Sequence, residues 1–156
     1  MTSEQFGTRL YFEDLAVGRR VTTGSVAIDA EAIKAFAAQF DPQPFHLDEE
    51  QAKDSLFGGL VASGWHTAAL TMRMLVTGGL PIAGGVIGAG GEVQWPRPTC
   101  PGDTLTVVCE VIAAKPSSSR SDRGMVTIRS ETLNQKGEVV QIMTARLVVP
   151  RRPSAA

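Results

Sequence analysis

One long stretch of the sequence carries almost no charge, and it limits the folds that the chain can adopt. From Phe57 to Gly91, Arg73 is the only residue with a formal charge. Within this stretch, residues 60–76 have the length of a helix, and apolar side chains recur at helical spacing at Trp65, Ala69, Met72 and Val76. A helix that is apolar on nearly all sides belongs in the middle of a domain. We therefore expect residues 60–76 to form a central helix and the most buried element of the fold.

The residues after this stretch change from the helical period to one that is typical of strands. Apolar and more polar side chains alternate along 105–112 and 126–129, and 139–149 is strand-like throughout. Turn-forming residues separate these segments. Before the central helix, residues 19–28 are rich enough in β-branched side chains to form one more strand. A strand, a helix and then three or four antiparallel strands in hairpin order predict an α+β domain, with the sheet wrapped around the helix.

A shorter helix is expected between the first strand and the uncharged stretch. Asp29 can cap its first N–H groups, and apolar residues recur at helical spacing from Ile33 to Phe40. Pro42 ends this helix, because a proline disfavours the helical conformation of the residue before it. The residues that follow, 41–58, are predicted to form a proline-bracketed loop that contains at most a turn of helix.

Length and charge exclude several classes of protein. The chain has 156 residues and a formal net charge of −1, which argues against a nucleic-acid-binding surface of broad positive charge. Residues 1–150 are expected to form one domain, followed by a flexible tail at 151–156. The first residues lack the features of a signal peptide, and polar residues interrupt the most apolar segment. We therefore predict a cytoplasmic protein without a membrane partner.

The two cysteines leave two alternatives. Cys100 and Cys109 could face each other across a hairpin and form a disulfide. In a cytoplasmic protein, two reduced thiols are the expected state.

The segment from Asp41 to His46 is the first candidate for chemistry. It places a carboxylate, an amide and one of only two histidines around two prolines that stiffen the chain. An Asp and a His that are held rigidly around one water can move protons, because imidazole changes protonation near pH 7. The alternative is an ordinary turn in which Asp41 caps a backbone N–H and His46 has no catalytic part. The spacing alone leaves both interpretations open.

The second candidate is the cluster of small residues from Gly58 to Gly64, at the start of the predicted central helix. Free N–H groups at a helix N-terminus suit a developing oxyanion. The glycines could equally serve only tight packing of the helix on the sheet. His66 lies deeper in the helix and is predicted to be a core histidine with satisfied hydrogen bonds. No metal site is expected, because the histidines are far apart in the chain and no cysteine cluster accompanies them.

Four motifs together resemble one known family. They are 12–18 (FEDLAVG), 41–48 (DPQPFHLD), 59–64 (GLVASG) and 95–105 (WPRPTCPGDTL). The second resembles the signature G-D-x-N-P-x-H-x-D, the third G-x-x-A-H-G, and the fourth F-x-x-P-V-x-x-G-D-x-L. In this order they resemble the MaoC-like dehydratases and (R)-specific enoyl-CoA hydratases, which have a hotdog fold. The resemblance covers nearly the whole chain, from about Tyr11 to Val149.

The resemblance implies a reaction and a role for three residues. The chain would add water to a trans-2-enoyl thioester of CoA or of acyl-carrier protein, or remove it from the (R)-3-hydroxyacyl product. Asp41 would be the general base, His46 would share the water and handle the proton that returns to Cα, and the Gly64 amide would hold the thioester oxygen. No cofactor is implied beyond the acyl carrier of the substrate. The alternatives are a hotdog acyl-CoA thioesterase and a non-catalytic thioester-binding subunit.

Three residues differ from the family pattern. Phe40 stands where Gly is usual, Gln43 replaces Asn, and Ser63 replaces the His of A-H-G. We expect these residues, together with Trp65, to contact the substrate. At this length the chain holds one hotdog unit, and the resemblance implies that an isologous homodimer completes the sheet and the site.

Overall fold

The computed structural model describes residues 8–154, and the five strands of this part of the chain form one antiparallel sheet. They are β1 (Arg20–Ala27), β2 (Ile87–Gln94), β3 (Thr104–Pro116), β4 (Arg123–Leu133) and β5 (Val139–Pro150). The order across the sheet is β1-β3-β4-β5-β2. The last three strands follow hairpin order as predicted, whereas β2 crosses the fold and pairs with β5.

β2 is an edge strand rich in glycine. At Gly91, a Cβ would collide with the backbone of Thr144 on β5, so a residue without a side chain lets the two backbones lie this close. Nearly all residues of β2 are exposed. Its outer edge has no partner strand within residues 8–154, and unpaired backbone groups of this kind are suited to pairing with another chain.

Four helices of the described residues lie with this sheet. They are α1 (Ala30–Phe40), α2 (Pro44–Leu47), α3 (Glu49–Lys53) and α4 (Gly64–Met74). Asp29 caps α1 as predicted, and its carboxylate accepts the N–H of Ala32 at 2.8 Å. α2 differs from the predicted loop, because Pro44 occupies a first-turn position where its missing N–H costs nothing.

The central helix is shorter than predicted and buries a different face. Residues 60–63 are not helical, α4 begins at Gly64, and a π-helical turn follows it at Leu75–Gly79. The apolar stripe faces outward: Trp65 is 59% exposed and Met72 is 40% exposed. The expectation that this helix would be the most buried element is therefore wrong.

Threonines take the place of apolar residues on the inner face of α4. Thr67 and Thr71 are buried there. The hydroxyl of Thr71 lies 2.6 Å from that of Thr132 on β4 and donates to the Thr67 carbonyl at 2.9 Å. Because a hydrogen-bonded hydroxyl can be buried at little cost, hydropathy alone misidentified the inner face.

The core lies mainly on the inner face of the sheet. Alternate residues of the central strands are fully buried at Leu105, Val107 and Val126, as the sequence predicted. Val140 and Val149 of β5 are also fully buried. A second cluster forms beneath α1 and α3, and it consists of Ile28, Ile33, Ala52, Leu60 and Ala62. This second cluster fixes the segment that leads into α4. The α+β class and the sheet on a central helix are confirmed.

The ends of the chain are only partly described. Arg151 donates to Glu13 at 3.1 Å and Arg152 to Asp14 at 2.6 Å, so the first residues of the predicted tail contact the N-terminal segment. Residues 155–156 of that tail lie outside the described part, as do residues 1–7, on which the signal-peptide prediction rested. Between 8 and 154, no helix has both the length and the apolar character that a bilayer span needs.

Candidate active site

Asp41 and His46 lie together just after α1. The helix ends at Phe40, and Asp41 takes non-helical angles of φ −154° and ψ 66°. The proline after it prevents the helix from continuing, and α2 then carries His46 back toward the carboxylate. Nε2 of His46 lies 3.3 Å from Oδ2 of Asp41. The stiff segment therefore brings together the two groups that the sequence singled out.

The proton on His46 is located by the contact of its other nitrogen. Nδ1 lies 2.6 Å from the carbonyl oxygen of Val61. A carbonyl oxygen only accepts, so Nδ1 carries a proton, and the neutral ring has its lone pair on Nε2. This lone pair and the carboxylate of Asp41 repel each other directly, but both attract a water that donates one hydrogen to each. The pair is thus suited to hold a single water by its two protons.

Both carboxylate oxygens of Asp41 accept hydrogen bonds. Nε2 of Gln43 donates to Oδ1 at 2.6 Å, and Oγ of Ser63 donates to Oδ2 at 2.6 Å. Burial by itself raises the pKa of this carboxyl, but the hydrogen bonds from Ser63 and Gln43 favour the charged form and outweigh it, and His46 adds to their effect when its ring is protonated. The pKa of Asp41 therefore lies below its ordinary value, and the group is a carboxylate at neutral pH.

The start of α4 supplies one free amide. Trp65 donates its N–H to Oγ of Ser63, while His66 and Thr67 donate theirs to the Ser63 carbonyl. The N–H of Gly64 alone in this first turn has no acceptor among the described residues. A free amide at the positive end of a helix can stabilise an oxyanion.

A cleft of about 320 Å³ adjoins both His46 and Gly64. Most of its walls are apolar or aromatic, formed by Phe45, Phe57, Val61, Trp95, Pro96 and Pro98. A mostly apolar cleft with a few convergent polar groups is typical of a small-molecule site. The arrangement offers two groups that can activate a water and an oxyanion donor beside space for an apolar ligand.

Comparisons with known proteins agree with the motifs. Residues 13–133 match the sequence family described as the MaoC like domain. The chain belongs to this family. A crystal structure of the MaoC-like dehydratase from Rhodospirillum rubrum superposes with a TM-score of 0.91 and 64% sequence identity, over 93% of this chain and 99% of that chain. The resemblance stated from the motifs is confirmed, and with it the hotdog fold.

Two further relatives extend over most of the chain. Uncharacterized protein YdeM of Bacillus subtilis is 33% identical over 127 residues, which is 80% of this chain and 87% of YdeM. The (R)-specific enoyl-CoA hydratase of Rhodospirillum rubrum is 27% identical over 142 residues, which is 91% of this chain and 93% of that enzyme.

In this MaoC-like domain, two residues predicted to contact substrate contact Asp41 instead. Gln43 has a longer side chain than the Asn of the family pattern, and it folds back onto Oδ1 of Asp41. Ser63 reaches the same carboxylate from the other side. Neither lines the cleft. Their hydrogen bonds hold the carboxylate in place and favour its ionised form. Direct contact of Gln43 or Ser63 with the substrate stays a prediction.

The other two predicted substrate contacts lie outside the cleft. The side chain of Phe40 is 66% exposed and packs against Phe36, with ring centroids 5.1 Å apart. Trp65 is also exposed, and its ring meets that of Trp95 edge-on at 5.2 Å. Trp95, at the start of the fourth motif, is the tryptophan that lines the cleft, so its motif was the signal that could have identified it.

His66 is buried as predicted but is not satisfied. Its ring stacks on Phe36 with centroids 4.5 Å apart and planes 5° apart. Nδ1 has no hydrogen-bond partner among the described residues, which contradicts the expected satisfied core histidine. Stacking between α1 and α4 holds the ring where no described donor or acceptor reaches Nδ1. Burial lowers the pKa of His66, because the imidazolium form loses its hydration there.

The two cysteines form no disulfide, and neither lines the cleft of the candidate active site. Both are free thiols in the structure, as the sequence predicted. Burial raises the pKa of Cys109 to about 11, so the reactive thiolate does not form at neutral pH. Among residues 8–154, no three His, Cys, Asp or Glu side chains lie close enough to hold a metal ion. The prediction that the protein needs no cofactor is not tested by this arrangement.

Proposed function

We propose that the chain is a hydratase/dehydratase that adds water to a trans-2-enoyl thioester, or removes it from the (R)-3-hydroxyacyl product. The thioester would be carried by CoA or by acyl-carrier protein. The observation that carries the proposal is the juxtaposition of the Asp41 carboxylate, Nε2 of His46 and the free amide of Gly64. Similarity to the (R)-specific enoyl-CoA hydratase over 91% of the chain supports it.

The first step is attack by the held water. Asp41 takes one proton as the water oxygen bonds to C3 of the enoyl group. The π electrons of the C2–C3 double bond move toward the thioester carbonyl and form an enolate. The ionised state of Asp41, which its hydrogen bonds from Ser63 and Gln43 favour, is the state that a general base needs.

The second step returns a proton to C2. Asp41 passes its proton to Nε2 of His46, 3.3 Å from the same carboxylate oxygen, and the imidazolium transfers it to C2. One proton leaves the water and one reaches carbon, so the reaction balances without a cofactor. The Gly64 amide donates to the enolate oxygen while the charge exists, and loss of one such donor typically costs about 10²–10³ in rate.

The decisive assay is incubation with crotonyl-CoA and longer enoyl-CoAs. A hydratase removes the conjugated enoyl absorbance without releasing free thiol. Release of thiol would instead support the alternative of a hotdog thioesterase, in which the carboxylate directs water to the carbonyl carbon. If neither signal changes with these substrates or with crotonyl-acyl-carrier protein, the hydratase proposal is wrong and a non-catalytic thioester-binding subunit becomes the interpretation.

We also propose that the working form is an isologous homodimer. Two surfaces support a second copy of the chain as the occupant. One is the unpaired outer edge of β2. The other is the exposed apolar stripe of α4, with Trp65 and Met72, which continues to Val76 in the π-helical turn. A pair of edge strands related by a twofold axis would continue the sheet. Light scattering at micromolar concentration should give twice the mass of one 16.6 kDa chain. A monomeric mass would contradict the proposal.

A further inference from the structure

A chain of hydrogen bonds runs from the cleft into the core of the sheet. The indole N–H of Trp95 donates to Oε1 of Gln141 at 2.9 Å. Nε2 of Gln141 then donates to the hydroxyl of Thr71 at 3.1 Å. Gln141 lies on β5 and is 0% exposed, and it falls outside the segment 13–133 that matches the family.

The orientation of this buried amide is fixed by its partners. An indole N–H can only donate, so the atom of Gln141 that faces it is the carbonyl oxygen. The hydroxyl of Thr71 donates to the Thr67 carbonyl at 2.9 Å, so it accepts from the amide nitrogen. A buried polar group that lost one of these partners would keep its desolvation cost. Gln141 therefore resists rotation and holds the indole at one position.

The ring of Trp95 that is held in this way forms the wall beside Gly64. A Cβ placed on Gly64 would lie 2.5 Å from Cε2 of that ring, so the ring occupies the space that any side chain at residue 64 would need. Trp65 braces the ring edge-on. The remaining surface of Trp95 lines the cleft, next to the amide proposed to bind the thioester oxygen.

We infer that Gln141 is a positioning residue for substrate selection: its buried amide holds Trp95 against Gly64, and the held ring limits the width of the acyl site. This inference rests on the proposed function only in taking an acyl thioester as the ligand. Without the amide acceptor, the indole leaves its position and the cleft widens beside Gly64. A longer acyl chain then gains affinity relative to a short one.

The test uses binding of saturated acyl-CoAs, which cannot be hydrated. Dissociation constants of butyryl-CoA and octanoyl-CoA are measured by calorimetry for the full-length protein and for Gln141→Met, which has a similar length but no acceptor for the indole. We expect the affinity ratio to move about tenfold in favour of octanoyl-CoA, which corresponds to about 1.4 kcal/mol. An unchanged ratio, or an equal loss for both ligands, would overturn the inference.

Two variants separate positioning from a general loosening of the core. Thr132→Val removes a fully buried hydroxyl that contacts Thr71 but not Trp95, so it should leave the ratio unchanged. Trp95→Phe removes the indole N–H. When Gln141→Met is added to Trp95→Phe, the affinity ratio should change by less than about twofold. The Phe side chain has no N–H, so it loses no hydrogen bond when Gln141 is replaced. A tenfold shift in either control would refute a role that acts through Trp95.

The hydrogen bond itself has a spectroscopic readout. The chain has two tryptophans, and Trp95→Phe identifies the indole N–H resonance of Trp95 in ¹⁵N-labelled protein. We expect this proton to exchange slowly with solvent in the native chain and faster in Gln141→Met. If Gln141→Met shifts the affinity ratio as expected but wild-type protein hydrates no enoyl thioester, the hydratase proposal fails and this inference stands. If no acyl-CoA binds, this inference fails, and the hydratase assay decides the proposed function separately.

Discussion

The hydroxyl of Ser63 donates a 2.6 Å hydrogen bond to Oδ2 of Asp41 and so joins the start of α4 to the end of α1. Oγ of Ser63 also accepts the N–H of Trp65 at 3.2 Å and so caps α4. One side chain therefore fixes the carboxylate relative to the helix whose first amide, that of Gly64, is the proposed oxyanion donor. The base and the donor belong to one rigid unit.

Replacing Ser63 with Ala should make the carboxylate harder to ionise. The hydrogen bond favours the charged form, so its loss raises the pKa of Asp41. In a profile of kcat/KM against pH, the acidic limb should then move to higher pH, while the rate well above that limb changes less. The lost helix cap should also lower the free energy of unfolding by about 1 kcal/mol.

A matched variant separates the two effects of Ser63→Ala. Asp29→Ala removes the cap of α1, whose carboxylate contacts Ala32 and not the site. It should cost about the same stability, roughly 1 kcal/mol, and leave the acidic limb in place. If both variants shift the limb equally, the Ser63 hydroxyl does not tune Asp41.

Loss of either member of the Asp41–His46 pair should abolish hydration but not binding. Asp41→Asn keeps the shape and cannot take a proton, and His46→Ala removes the proton carrier. We expect kcat for crotonyl-CoA to fall about 10²–10⁴-fold in each variant, the usual contribution of a positioned acid or base. Affinity for butyryl-CoA should change far less, because the cleft walls remain.

The control for this pair is Asp48→Asn. Asp48 caps α3 through Gln51, and an asparagine can make the same bond, so this variant should keep the wild-type rate. Full hydratase activity in Asp41→Asn or His46→Ala would show that the proposed mechanism is wrong.

Local patterns predicted the parts of this fold that local sequence controls. The alternation at 105–112 and the cap at Asp29 each depend on neighbours in the chain, and the structure confirms both. The predicted loop after Asp41 contains a helical turn, which brings His46 to Asp41. The inner face of α4 was missed, because Thr67 and Thr71 look polar until their partners are known.

Contacts between distant residues could not be predicted in the same way. β2 pairs with β5, although β3 and β4 come between these two strands along the chain. Of the strands after the central helix, β2 alone does not pair with the next strand in the sequence. Trp95 donates a hydrogen bond to Gln141, which lies 46 residues further along the chain. A contact between residues so far apart produces no periodic pattern in the sequence. The one local hint was a glutamine within the strand-like segment 139–149.

A charge on the exposed stripe of α4 should separate the proposed dimer. Met72→Glu places a carboxylate on a surface that is 40% exposed in the single chain and would be buried between two copies. Burying an unpaired charge is costly, so light scattering should show a monomer at micromolar concentration. Ile112→Glu is the matched control, because Ile112 is 42% exposed on β3. A dimer that survives Met72→Glu would exclude this stripe from the interface.

The unsatisfied His66 should make the fold sensitive to acid. Its pKa in the folded state is lowered by burial, whereas the unfolded chain binds the proton at the ordinary pKa of about 6.5. The unfolded state therefore holds more protons below that pH, and the free energy of unfolding falls as pH drops through it.

The variant His66→Phe tests this prediction, because it can keep the stack on Phe36 and removes the titrating group. Urea unfolding near pH 7 and near pH 5, at one protein concentration, should show a smaller loss in this variant. An equal loss in wild type and His66→Phe would show that His66 is not the group that titrates.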